Sequence, residues 1–152
     1  MSRPLAGRCI LVTRPAAQAA ALAQQIRDAG GEAWVFPAIE IQPVSTETLA
    51  NRIDHLHEYD AAIFISPNAA QQGLAAVAAR RDFPAGVRVL ALGPGTAQAL
   101  ADAGMSNVTQ ADGQDTEALL ALPTLQHVAG QRIVIFRGVG GRELLADTLT
   151  AR

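Results

Sequence analysis

Residues 61 to 65 read Ala-Ala-Ile-Phe-Ile, an apolar run with no polar break, and they are followed at once by Ser66-Pro67-Asn68 and an alanine-rich stretch. A run this short and this uniformly apolar suits a strand covered on both faces, the usual condition of a strand in a parallel sheet. Four further runs have the same character, at residues 9–13, 33–36, 87–92 and 132–136. Between them lie segments with helical spacing. Ala19, Leu22, Ile26 and Ala29 form one stripe, closed by Gly30-Gly31. Leu49, Ile53 and Leu56 form a second, Ala70, Leu74 and Val77 a third, and Ala97, Leu100 and Ala103 a fourth that ends at Gly104. Arg80 and Arg81 suit the C-terminal dipole of the third. Asp115 is placed to cap a short helix running to Leu122 before Pro123, and a last helix is expected over residues 143–151.

Strands alternating with helices define an α/β fold, here a doubly wound parallel sheet. Right-handed crossovers put every strand-to-helix turn on one edge of such a sheet, and ligands bind outside the carboxyl ends of its strands. The stretch "FPAIEIQPV", with Pro37 and Pro43, interrupts the rhythm and reads as an extended connector between lobes.

Composition narrows the function. The 152 residues carry a formal charge of −2, and all twelve basic residues are arginines scattered along the chain. Nucleic-acid binding needs a basic stripe, so no nucleic-acid partner is expected. No apolar run approaches the ~20 residues of a membrane span, and the start "MSRPLAGR" has no apolar core like that of a signal peptide, so no membrane partner and a cytoplasmic setting are expected. Cys9, alone in "CILVT", is expected to be buried packing. His55 and His57 are two apart on an expected helix and so face different ways; with His127 they make no ligand spacing, and no metal is expected. Glu40, Asp54, Glu58 and Asp60 read as a solvated face.

Four strand-to-helix turns carry the chemistry. In "VTRPA", Thr13 and Arg14 end a strand and Pro15 suits a first helical turn. In "ISPNAA", Ser66 is an N-cap and Pro67 a first helical residue; Asn68 follows, and the N–H groups there can receive an anion. In "LGPGTAQAL", Gly93, Gly95 and Thr96 allow close approach of a ligand to backbone. Gln98 stands where a dinucleotide fingerprint needs its third glycine, and no P-loop lysine is present. In "FRGVGGREL", Arg137, Gly138, Gly140, Gly141 and Arg142 form a basic, glycine-rich strand end suited to clamping a carboxylate or phosphate. The first turn also reads as capping with a solvated arginine, the second as capping alone, and the fourth as a tight turn with solvated arginines. A nucleotide-binding domain and a phospho-receiver domain are weaker rivals: the fingerprint is incomplete, and the strand ends carry Thr, Ser, Gly and Arg rather than an acidic cluster.

In this order the stretches "ILVTRPAAQAAALAQQIRDAGGEAWVFPAIEI", "YDAAIFISPNAA", "VLALGPGTAQALADAG" and "GQRIVIFRGVGGRELLADTL" resemble the uroporphyrinogen-III synthase family, and together they cover nearly the whole chain. The resemblance implies two α/β lobes joined by a two-stranded connector, with the chain starting in one lobe, building the second and returning to finish the first. On that template residues 1–37 belong to an incomplete lobe 1, residues 38–43 to the connector, and residues 44–152 to a nearly complete, flavodoxin-like lobe 2. It implies cyclisation of the linear tetrapyrrole hydroxymethylbilane to uroporphyrinogen III, with inversion of the last pyrrole ring, loss of water, and neither cofactor nor metal. The substrate's eight carboxylates would meet the turns above, with Ser66, Asn68 and Thr96 facing the cleft between lobes. Members of the family continue beyond "LADTLTAR" and place a functional tyrosine there, which Tyr59 is not. The chain is therefore expected to be a truncated form, inactive or nearly so by itself and prone to dimerise or swap. A binding module for tetrapyrroles or other polycarboxylates, without turnover, is the alternative.

Overall fold

The structure is a computed structural model, and it describes residues 3–44, 46–140 and 143–152. The chain divides into two compact units, Met1–Val44 and Ser45–Arg152.

Unit 1 is one strand–helix–strand turn: β1 (Cys9–Val12), α1 (Ala16–Asp28) and β2 (Glu32–Val35). The strands are parallel, in register from Cys9 opposite Glu32 to Val12 opposite Val35. Pro15 stands at the N-cap, one residue before the helix proper. At the other end Gly30 takes φ +86°, which lets the chain turn straight into β2, and an added Cβ there would fall 2.8 Å from the Cβ of Arg3. Val12, Ala19 and Ile26 form the core, with Leu5, Ile10, Leu22 and Ala33 against them. Only one side of this small sheet is covered. Leu11, Trp34 and Phe36 are 57%, 59% and 65% exposed. Cys9 is exposed as well, against the expectation of a buried thiol. The continuous apolar run suggested two covered faces, but within the unit α1 covers just the side that carries Ile10 and Val12. Residues 39–44 form no helix or strand.

Unit 2 holds a four-stranded parallel sheet in the order β5-β4-β3-β6. The strands are β3 (Ala61–Phe64), β4 (Arg88–Ala91), β5 (Val108–Gln110) and β6 (Ile133–Phe136). Between and around them run α2 (Thr46–Asp54), α3 (Pro67–Ala78), α4 (Pro94–Asp102), α5 (Thr116–Leu120) and α6 (Leu144–Ala151), with 3₁₀ turns at Leu56–Glu58 and Pro123–Leu125. The second expected helix therefore breaks before Leu56, and the fifth stops short of Leu122. β5 is an addition to the expected strands. Side chains alternate across a strand, and β3 splits accordingly. Ala61 and Ile63 join Leu90, Leu119, Leu120, Leu125 and Leu145 in a core beneath α5 and α6. Ala62 and Phe64 join Ala70, Val89, Ala91 and Leu100 beneath α3 and α4. Helices on both faces make the sheet doubly wound, and every residue of β3 is buried.

Two local features fix the packing around β6. The rings of Phe64 and Phe136 stack with centroids 4.4 Å apart and planes 9° from parallel. Gly73 of α3 lies over Phe136, so close that an added Cβ would fall 2.5 Å from its Cδ1. A methyl group there must push a half-buried ring that is stacked on Phe64. Overpacking of this kind costs about 1–3 kcal/mol, more than the ~1 kcal/mol of helix propensity that alanine gains over glycine. Gly73→Ala is therefore expected to lower stability to urea by a net ~1 kcal/mol, and Gly73→Val by more; an unchanged or raised midpoint would show that the ring yields freely.

The amino-terminal edge of the same sheet is tied by ion pairs. Arg80 grips both carboxylate oxygens of Asp54 at 2.8 and 2.6 Å, and Arg132 pairs with Glu58. Arg81 donates to the Asp54 carbonyl at 2.5 Å and approaches Nδ1 of His57 at 2.9 Å. Asp54 and Glu58 are thus ion-paired rather than simply solvated. His55 and His57 stack with ring centroids 6.4 Å apart, against the expectation that they diverge, because the α-helix ends at Asp54 and the chain passes into a 3₁₀ turn. Hydrogen bonds from Arg80 and Arg132 hold the two carboxyls below their ordinary values of 3.8 and 4.5. Groups whose folded pKa is depressed contribute stability that is complete above the unfolded value and is lost as pH falls through the folded one. The melting temperature is expected to stay level from neutrality to about pH 5 and to fall below about pH 4.5. Asp54→Asn should flatten part of that acid limb, and a limb identical to the parent's would remove the pair from the account.

Candidate functional site

The connections of unit 2 set where a ligand belongs. The chain steps outward from β3 to β4 to β5, then returns past β3 to add β6 on its other side. The order of winding reverses between β3 and β6, and crevices form outside the carboxyl ends of strands at such a point. Phe64 pairs with Phe136 and with Ala91 at the last register positions, and Ile65 N–H still donates to the Phe136 carbonyl at 3.3 Å. The turns after β3, β4 and β6 consequently lie side by side.

After β3, Ser66 takes the extended conformation of an N-cap, and its Oγ accepts from Ala69 N–H at 3.1 Å. Pro67 follows as the first helical residue, exposed, and Asn68 is half-buried behind it. After β4, Gly93 takes φ +76° at the N-cap of α4, a conformation strained for any residue with a side chain. Behind it stand the Gly113 carbonyl and Gln114 of the loop after β5. An added Cβ at Gly95 would lie 3.6 Å from Cγ of Pro67, so the first turns of α3 and α4 abut. Thr96, the third residue of α4, is the one buried polar residue among the described residues, at 2% exposure. Two helix N-termini thus point positive dipole ends at one place, an arrangement suited to anions.

After β6, Arg137 is half-buried and grips Glu143 with a two-bond fork, Nη1 to Oε2 at 3.1 Å and Nη2 to Oε1 at 2.6 Å. The pairing raises the guanidinium's pKa and holds the carboxyl below its ordinary 4.5, in both cases chiefly through that hydrogen bonding. Gly138 and Gly140 are exposed in the intervening loop, Gly140 at φ +80°. Gly141 and Arg142 lie outside the described residues.

The structure therefore gathers Ser66, Pro67, Asn68, Gly93, Gly95, Thr96, Arg137 and Gly138 on one sheet edge. Thr13 and Arg14 follow β1 in unit 1, both exposed; Arg14 Nη2 donates to Gln18 Oε1 at 3.2 Å across the first turn of α1. Sequence reasoning missed Glu143 as the partner of Arg137 and missed the loop after β5 behind Gly93. Among the described residues no three His, Cys, Asp or Glu side chains could share a metal ion, and no helix is long and apolar enough to cross a membrane.

A doubly wound parallel sheet, with two helix starts side by side and an arginine at the point where its winding reverses, defines an α/β protein of the doubly wound class. Comparison with known proteins is more specific. The profile of the family described as uroporphyrinogen-III synthase HemD matches residues 20–152. Uroporphyrinogen-III synthase of Salmonella typhimurium is 42% identical over 146 residues, which cover 94% of this chain and 59% of that protein. The Proteus mirabilis enzyme of the same name is 33% identical over 148 residues, covering 94% of this chain and 73% of that one. The chain belongs to the uroporphyrinogen-III synthase family. A crystal structure of a mutant uroporphyrinogen III synthase from Thermus thermophilus shares the fold, with a TM-score of 0.64 at 22% identity over 94% of this chain and 57% of that one. The chain spans about 59% of the length of the Salmonella relative.

Proposed function

We propose that this chain serves as a uroporphyrinogen-III synthase, closing hydroxymethylbilane to uroporphyrinogen III with inversion of the last pyrrole ring. The observation that carries the reading is the 42% identity to the Salmonella enzyme across 94% of the chain. The geometry supports it independently. A substrate with eight carboxylates calls for anion sites, and the carboxyl edge of unit 2 offers two helix starts and Arg137. In this reading Ser66, Pro67, Asn68, Gly93, Gly95, Thr96, Arg137, Gly138 and Gly140 contact the substrate, with Thr13, Arg14, Gly141 and Arg142 as further contacts.

The reaction asks little of acid or base catalysis. The electron-rich pyrrole expels the terminal hydroxyl, which leaves with a proton as water, and a carbon–carbon bond closes the macrocycle. The protein's task is to hold the chain so that the unrearranged carbon does not attack first, which is catalysis by orientation. Anchoring carboxylates at fixed strand ends does that work. A cytoplasmic setting belongs to the same reading, and so does self-association of the 152-residue chain through the uncovered face of unit 1, where Leu11, Trp34 and Phe36 lie. Size-exclusion chromatography is expected to show a dimer, and a clean monomer at micromolar concentration would remove that part.

The test is a coupled assay in which porphobilinogen deaminase supplies hydroxymethylbilane and chromatography separates the type I and type III isomers. Type III above the uncatalysed background supports the synthase. The chain spans 59% of the Salmonella relative, and that observation favours a second reading for these residues alone, binding without turnover. Saturable binding of uroporphyrin III with no type III product would favour it.

A further inference from the structure

The fork between Arg137 and Glu143 has the geometry a ligand carboxylate would adopt on the same arginine. We propose that Glu143 is an internal stand-in for a ligand carboxylate: it holds the Arg137 guanidinium until a polycarboxylate replaces it, and so sets the selectivity of the site toward ligands carrying several carboxylates. The proposal rests on the reading of Arg137 as a substrate anchor.

Three observations carry it. The first is the symmetry of the exchange. One carboxylate leaves a two-bond fork and another enters it, so no charged group is stranded at any stage. The second is that Glu143 has little else to do. It occupies the N-cap position of α6 but makes no capping hydrogen bond with its side chain. Releasing Arg137 therefore unties no helix start, and the acid, 58% exposed against 24% for the arginine, moves outward into water. The third is the link between the two. Gly138 and Gly140 stand in the intervening loop, and a Cβ added at either would meet nothing within 4 Å. Neither of these two positions is packed against the rest of the unit.

Selectivity follows from effective concentration. A tethered carboxylate competes at a local concentration of order millimolar or more. A lone monocarboxylate displaces it poorly. A ligand already held by its other carboxylates at the neighbouring helix starts presents the next one at comparable effective concentration and wins. Glu143 thereby filters by the number of charges as well as by shape.

The experiment is a titration with uroporphyrin III, an eight-carboxylate porphyrin, followed by fluorescence quenching on the parent chain, Glu143→Gln, Arg137→Ala and the double variant. Glutamine keeps the size of the side chain and removes its charge. Glu143→Gln is expected to bind about twofold to fivefold tighter than the parent, the range an exposed ion pair allows. The gain should vanish in the Arg137→Ala background, and Glu143→Asp should restore part of the competition. Melting temperatures of the five chains identify any variant whose fold has changed. If the parent binds and Glu143→Gln binds equally or more weakly, the stand-in is overturned while the polycarboxylate reading survives. If neither the parent nor Glu143→Gln binds, both fall together.

Discussion

Phe64→Ala is expected to destabilise unit 2 by about 3–5 kcal/mol, the range for emptying a phenylalanine site in a core. The side chain is completely buried on the central strand, with Ala62, Ala70, Val87, Val89, Ala91 and Leu100 in the same cluster. Its ring is the stacking partner of Phe136. The small neighbours make the site hard to close. Three of those six residues are alanines, which have no length with which to lean into a void, and Phe136 is held from α3 by Gly73. The transfer loss and the cavity term therefore both apply in full. Urea unfolding should show a lower midpoint with an unchanged slope, and for a unit of this size the melting temperature should fall on the order of 10–20 °C. Phe64→Leu should cost under about 1.5 kcal/mol if volume is the issue. Equal losses from leucine and alanine would point to the aromatic stack itself.

Arg137→Ala is expected to weaken uroporphyrin III binding by about tenfold to a hundredfold, the value of charge-assisted hydrogen bonds removed from one carboxylate. Arg137→Lys should fall between, because a lysine keeps the charge and loses the fork. Stability should hardly move. The pair with Glu143 is open to water on its glutamate side, and ion pairs reached by water contribute about 0–1 kcal/mol. The contrast between a large loss of binding and a small loss of stability separates an anchoring arginine from a structural one. Unaltered affinity in Arg137→Ala would take the anchor away from β6 and leave the helix starts of α3 and α4 as the anion site.

Much of this arrangement was legible in the residues, for identifiable reasons. β3 and β4 are runs of apolar side chains because both faces of a central strand are covered, and each is followed by a proline or glycine that starts a helix. Ser66 and Asp115 cap as expected because a short polar side chain before a helix has one nearby use, the N–H three residues on. β5 was not legible. Val108-Thr109-Gln110 is three residues at the edge of the sheet, half-buried at one position and exposed at two, so it carries almost no apolar signal. Cys9 misled for the opposite reason, since an apolar run records what a strand can bury and not what covers it in this unit. The turns of the site were legible as glycine, proline and serine at strand ends. The grip of Arg137 on Glu143 was not, because it depends on the path of a glycine-rich loop, and glycine permits many paths.

The chain has a single tryptophan and a single tyrosine, and the division into units separates them. Trp34 stands on the open side of the sheet in unit 1, while Tyr59 enters β3 in unit 2 with the Arg132 guanidinium 5.1 Å from its ring centre. Excited at the red edge of the absorption band, the protein reports on unit 1 alone. Its emission already comes from an indole in contact with water, so the shift on denaturation will be small. The far-ultraviolet circular dichroism is dominated by the helices of unit 2. Two spectroscopic curves recorded on one sample thus follow two different pieces of the chain, and their coincidence or separation along a urea gradient measures how far the pieces melt as one.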